Sequence, residues 1–279
     1  MKIGIKVPES VRKRLLTKRQ RFAVGVIILS SSLFIVNHFL ESYSFLAVLF
    51  LSFLTNIFLL WALFKDLRDN FSPQVFILPF FYTLGFGVFS PLVPERIITD
   101  LVLTIIYAVG LYSLFLSQNI FTVSGIRTIA LLSSARTVSF VLTILTHLFI
   151  TTVIFSLKFN VFIALLLFFI ISFLLTLQSI WTYTLEKSIK KNLIYVLLLS
   201  IAALQVATVL WFWPNKSWLL SSFDPPPVLI SLFLTGIFYI FIGLSHLWFE
   251  KRLFKSTLWE YVWIGVLVFV FLVAFTSWT

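Results

Sequence analysis

A chain of 279 residues that is 60% apolar, 11% charged and carries a formal net charge of +11 does not have the composition of a soluble domain, which is about 45–50% apolar and about 25% charged. Its mean hydropathy of +1.08 points the same way; the net charge and the pI near 10.0 could be taken for a nucleic-acid binder, but the cations flank apolar runs, where anionic lipid attracts them. The chain has no cysteine, which excludes disulfides, thiol catalysis and Cys-ligated zinc.

The first 21 residues hold Lys2, Lys6, Arg12, Lys13, Arg14, Lys18, Arg19 and Arg21, and are read as a basic cytoplasmic tail whose partner is anionic lipid. The following run, residues 22–40 "FAVGVIILSSSLFIVNHFL", exceeds the 7–15 apolar residues of a secretory signal and lacks an Ala-x-Ala-like exit. It is read as a retained first span. Further runs at 43–64, 75–93, 98–117, 137–157, 159–183, 192–213, 227–249 and 260–278 are each near the roughly 20 residues that cross a bilayer core of about 30 Å. Runs of that length satisfy their backbone as helices, whereas barrel strands would be about ten residues of alternating polarity. The fold class is therefore all-α: a polytopic integral membrane protein with about nine transmembrane helices forming one domain over residues 22–279.

The third run carries Pro79, Gly85, Gly87, Pro91 and Pro94, a pattern that predicts a kink. The stretch 117–140, "SQNIFTVSGIRTIALLSSARTVSF", is apolar but contains Arg127 and Arg136. Cations resist translocation and gather in short cytoplasmic loops. Treating the stretch as a connection, with the N-terminus cytoplasmic and the C-terminus outside, places 18 of the 21 Lys and Arg inside and only Arg96, Lys158 and Lys216 outside. Treating it as a tenth span leaves 12 inside, 7 outside and two arginines in the membrane. The connection is preferred. Nine residues at 100° each put Arg127 and Arg136 on opposite faces of any continuous helix, so a break is expected near Gly125 or at Ser133-Ser134, with Arg136 snorkelling from the first turn of the fifth span. Trp61, Trp181, Tyr183, Trp248, Trp259 and Trp263 at inner ends, and Trp211, Trp213, Trp218 and Trp278 at outer ends, fit interfacial belts.

No Asp, Glu, Lys or Arg stands at the middle of a span, and no internal repeat of fixed period is evident, both of which weigh against an ion-coupled, repeat-built carrier. The polar midplane residues are Asn56, His147 and Gln205, with Ser139, Thr143, Thr146, His147 and Thr151 along one helical stripe. Such groups join helices by hydrogen bonds, or line a pocket in which an imidazole, titrating near 6.5 in water, handles a proton. The outer-side acids Glu41, Glu95, Asp100 and Asp224 are the candidates for general-base or metal-holding chemistry on lipid-linked substrates. Asp66 and Asp69 read as a solvated turn. No phosphate loop, His-Glu-x-x-His helix or nucleophile elbow is present, so no cofactor or metal is assigned. The reading that follows is a non-catalytic membrane scaffold or complex subunit in a bacterial-type plasma membrane, with a membrane-protein partner and no nucleic acid. The alternatives are a small-solute or lipid transporter with a midplane pocket and an outer-face enzyme.

Overall fold

The computed structural model describes residues 17–39, 44–69, 71–94, 97–124, 131–157, 159–185, 190–212 and 226–274. Among these there are helices and turns but no strand: α1 Lys18–Phe39, α2 Ser44–Asp69, α3 Ile77–Phe89, α4 Ile97–Ser124, α5 Leu132–Ser156, α6 Val161–Thr184, α7 Lys190–Trp211, α8 Pro226–Phe249 and α9 Lys255–Ala274. A 3₁₀ turn at Pro73–Phe76 leads into α3 and another at Ser90–Leu92 follows it. All nine helices, α3 together with its two turns, are long and apolar enough to cross a membrane.

Several boundaries depart from the hydropathy reading, and three of these departures bear on its expectations. Helix α4 continues to Ser124, past the expected end at 117. The polar residues there face inward: Ser117, Gln118 and Thr122 are buried, and the Ser117 and Thr122 hydroxyls donate to the carbonyls of Ser113 and Gln118 one turn back, so neither needs water. Helix α5 starts at Leu132 and runs through Ser133-Ser134, so the chain does not break at that pair; Gly125 and Arg127 lie outside the described residues. Helix α1 takes in Lys18, Arg19 and Arg21 from the basic segment, and its first residue is tied down where the Lys18 ammonium donates to the Asp66 carboxylate at the end of α2. The rest of the tail, residues 1–16, lies outside the described residues.

The prolines of the third span mark its ends. Pro73 and Pro91 begin the two 3₁₀ turns, where a missing N–H is tolerated, and Pro79 falls in the first turn of α3. Its glycines serve close packing. A Cβ on Gly85 would lie 2.7 Å from Ile150 Cγ1 on α5, and one on Gly87 would lie 2.6 Å from Val48 Cγ1 on α2. Small residues let membrane helices approach where lipid offers no hydrophobic drive for association.

Helix α5 is the axis of the bundle. It packs on α3, α4, α6 and α8, while α1 packs on α2 and α4, α2 on α3, and α7 on α6 and α8. Helix α9 lies at the edge, resting on α8. Helix α5 buries thirteen of its residues, whereas α9 buries Leu272 alone.

Candidate functional site: buried polar clusters across the bundle

The candidate chemistry of this chain is in its interior polar groups, which form three clusters. The first joins α2, α3 and α4 through hydroxyls: Thr55 Oγ1 lies 3.1 Å from Thr83 Oγ1, which lies 3.0 Å from Tyr107 Oη. Thr55 also donates to the carbonyl of Leu51, so the chain of hydroxyls ends on backbone. The rings of Tyr82 and Tyr107 stack at 5.6 Å and 6°. This stack reaches α4 because residue 110 is glycine: a Cβ there would meet Tyr82 Oη at 2.1 Å. Asn56, beside Thr55, is partly buried and its Oδ1 has no hydrogen-bond partner.

The second cluster is built on α5. Every member of the expected stripe, Ser139, Thr143, Thr146, His147 and Thr151, is buried. Thr143, Thr146 and Thr151 return their hydroxyls to carbonyls four residues back, the local option that short hydroxyl side chains have in helices. His147 spans three helices: Nδ1 is 3.1 Å from Thr235 Oγ1 on α8 and Nε2 is 3.3 Å from Ser172 Oγ on α6. Its ring lies flat on Phe238 at 4.0 Å and meets the edge of Phe168 at 5.7 Å. Both nitrogens are engaged and the flanking space is aromatic. Five residues on, Thr152 Oγ1 and Ser231 Oγ join α5 to α8 again at 2.8 Å.

The third cluster lies at the end of the bundle where α1 begins, here termed the basic end, which carries Lys18, Arg19, Arg21, Arg68, Arg136, Lys251, Arg252 and Lys255. Arg136, in the second turn of α5, does not reach outward to headgroups. Its Nε and Nη2 donate to the Thr182 and Tyr183 carbonyls at 3.1 and 3.0 Å, capping the carbonyl end of α6 as a cation does best. Its guanidinium also sits 4.6 Å over the Tyr183 ring and 3.7 Å from Glu250. Behind it, His246 of α8 stacks on Tyr183 at 3.9 Å and its Nε2 lies 2.8 Å from Ser179 Oγ. Helices α5, α6 and α8 are thus clasped at one end.

The residues singled out from sequence are not gathered into one site. His147 is interior, Asn56 belongs near the α2–α4 cluster, and Gln205 on α7 is exposed, facing away from both. Asp100 lies in the first turn of α4, partly buried, with its carbonyl accepting from Thr104; Glu41, Glu95 and Asp224 lie outside the described residues. Asp66 pairs with Lys18. Among the described residues, no three His, Asp or Glu side chains stand together as metal ligands would. Of the aromatic belt, Trp61, Trp248, Trp259 and Trp263 are exposed, whereas Trp181 is buried against Phe121 at 6.1 Å. Trp213, Trp218 and Trp278 lie outside the described residues.

Gln118 and Gln178 escaped the sequence reading. Both are fully buried, and neither amide oxygen nor nitrogen of either has a partner. A signal was available: "QNIFT" at 118–122 and "QSIWT" at 178–182 repeat Gln-x-Ile-aromatic-Thr near the ends of α4 and α6, and it is their aromatic residues that touch.

Compared with known proteins, the chain matches no curated protein and no solved structure. A family of proteins of unknown function, DUF5656, matches residues 44–275, and the chain belongs to that family.

Proposed function

We propose that this protein is a non-catalytic membrane scaffold or complex subunit, inserted in a bacterial-type plasma membrane with its N-terminus cytoplasmic and its C-terminus outside. The observation that carries the reading is the state of His147. A residue that binds or passes a solute at midplane needs a free lone pair or N–H facing open space. His147 instead has zero exposure, hydroxyl partners on both nitrogens and aromatic rings against its faces. The threonines around it are likewise spent on carbonyls or on the next helix. Polar groups arranged in this way hold helices together. The orientation rests on the 18 to 3 division of cations and on the collection of the described ones at a single end of the bundle.

The test is assembly size. A chromosomally tagged chain extracted from native membranes in a mild detergent is sized beside the purified 32.2 kDa chain in the same micelle. A scaffold or subunit migrates as a discrete larger particle of fixed stoichiometry. Identical migration of the two overturns the reading.

A further inference from the structure

The turn between α8 and α9 places its cations against local preference. Helix α8 ends in a Schellman motif: the Arg252 N–H donates to the Leu247 carbonyl at 2.9 Å and the Lys251 N–H to the Trp248 carbonyl at 3.0 Å. That motif needs a left-handed residue at the position of Lys251, where φ is 56°, and glycine is the residue that adopts it without strain. The other non-glycine residue with positive φ among those described, Leu185 at 48°, packs its side chain against the core, and that burial offsets the strain. Lys251 is exposed, and no packing compensates it. Four residues on, Lys255 opens α9, where the helix dipole disfavours a cation. Beside them Arg252 is 73% exposed in its side chain and shares Glu250 with Arg136, each at 3.7 Å, so the single carboxylate is already flanked by two guanidinium groups. Trp248, Phe254 and Trp259 stand exposed around the turn, at the headgroup level that such side chains favour.

We propose that Lys251, Arg252 and Lys255 form a binding surface for the headgroup of an anionic phospholipid. The ligand chemistry is a phosphate bearing net negative charge, and the source is the lipid leaflet, because the surface is ringed by exposed aromatic side chains and not enclosed. A cation in the field of anionic lipid gains about five-fold in partitioning, enough to offset an unfavourable backbone position. A purely topogenic role would require the charges during insertion only, and would leave the folded protein indifferent to lipid charge.

The Lys251→Gly variant separates these cases, since it removes the charge while installing the residue that the backbone prefers. Full-length protein and variant are placed in symmetric nanodiscs of phosphatidylcholine, with or without about one-third phosphatidylglycerol, so that sidedness does not matter, and thermal unfolding is followed. In phosphatidylcholine alone the variant melts about 2 °C above the parent. Phosphatidylglycerol raises the parent's midpoint by several degrees, 1 M salt abolishes that rise, and the variant shows a smaller rise, with Lys251→Gly/Arg252→Gln/Lys255→Gln keeping only the part contributed by the basic segment of residues 1–21. Four results overturn the proposal: no phosphatidylglycerol effect on the parent; an equal effect on parent and triple variant; a lowered midpoint for Lys251→Gly in phosphatidylcholine, which would tie the lysine into the protein itself; or the same rise from inorganic phosphate, which would make the site one for a free anion.

Discussion

Helices α5 and α9 have similar length and nearly opposite surroundings. The buried side of α5 carries Ser139, Thr143, Thr146, His147, Thr151 and Thr152, whereas α9 buries Leu272 alone and exposes Trp259, Val262, Trp263, Val266, Leu267 and Phe269. In water the more polar helix would be outside. With lipid as the solvent, apolar surface gains nothing by burial between helices, and what gathers at the centre are side chains that hydrogen-bond across helices or are small enough to bring backbones together.

The strongest test of this contrast is at the packing of α3 on α5. Gly85→Val would drive two methyl groups toward Ile150, whose Cγ1 already lies 2.7 Å from the site of a Cβ. Overpacking of this kind costs about 3 kcal/mol. Reversible unfolding in mixed micelles should show that loss, and Ile150→Ala in the same chain should restore part of it; an unchanged midpoint would mean that the two helices separate without penalty. A smaller effect is expected at His147. Interhelical bonds in membranes are worth on the order of 0.6 kcal/mol each, so His147→Leu, which removes two, should lower stability by about 1 kcal/mol, while Gln205→Leu on the exposed face of α7 should not lower it. Equal losses for the pair would show that the histidine's bonds contribute nothing specific. The smallest effect belongs to α9: Val266→Ala, on a side chain 45% exposed, should shift stability by no more than about 0.5 kcal/mol. A loss of 2 kcal/mol there would reveal a packing partner for that face.

The helices were legible because runs of about 20 apolar residues leave a chain few alternatives in a bilayer. The nine described helices each overlap one of the nine apolar runs, although several begin or end four to seven residues beyond them. What hydropathy averages over is the direction in which a single polar residue points. Gln118 and Asn119 read as the start of a connection yet lie inside α4, because Gln118 turns into the bundle. Gln205 reads as midplane and interior but faces out. The periodicity on α5 did carry direction: five polar residues at three- and four-residue intervals define a face, where an isolated amide defines none. Arg136 shows the remaining gap, since its partners are backbone carbonyls 46 and 47 residues away, acceptors common to every residue and therefore invisible in the sequence.

The position of His147 also sets a schedule. Its two partners lie 25 and 88 residues further along the chain. At translation rates of 5–20 residues per second, Ser172 is synthesised about 1–5 s after the histidine and Thr235 about 4–18 s after it. During the first interval α5 holds an imidazole in the nascent protein with neither partner made; α6 then supplies one, and only the arrival of α8 supplies the second. Assembly around α5 is ordered by the ribosome: the α5–α6 pair can close early, while the α8 contact is a late seal that a chain truncated after α7 lacks altogether.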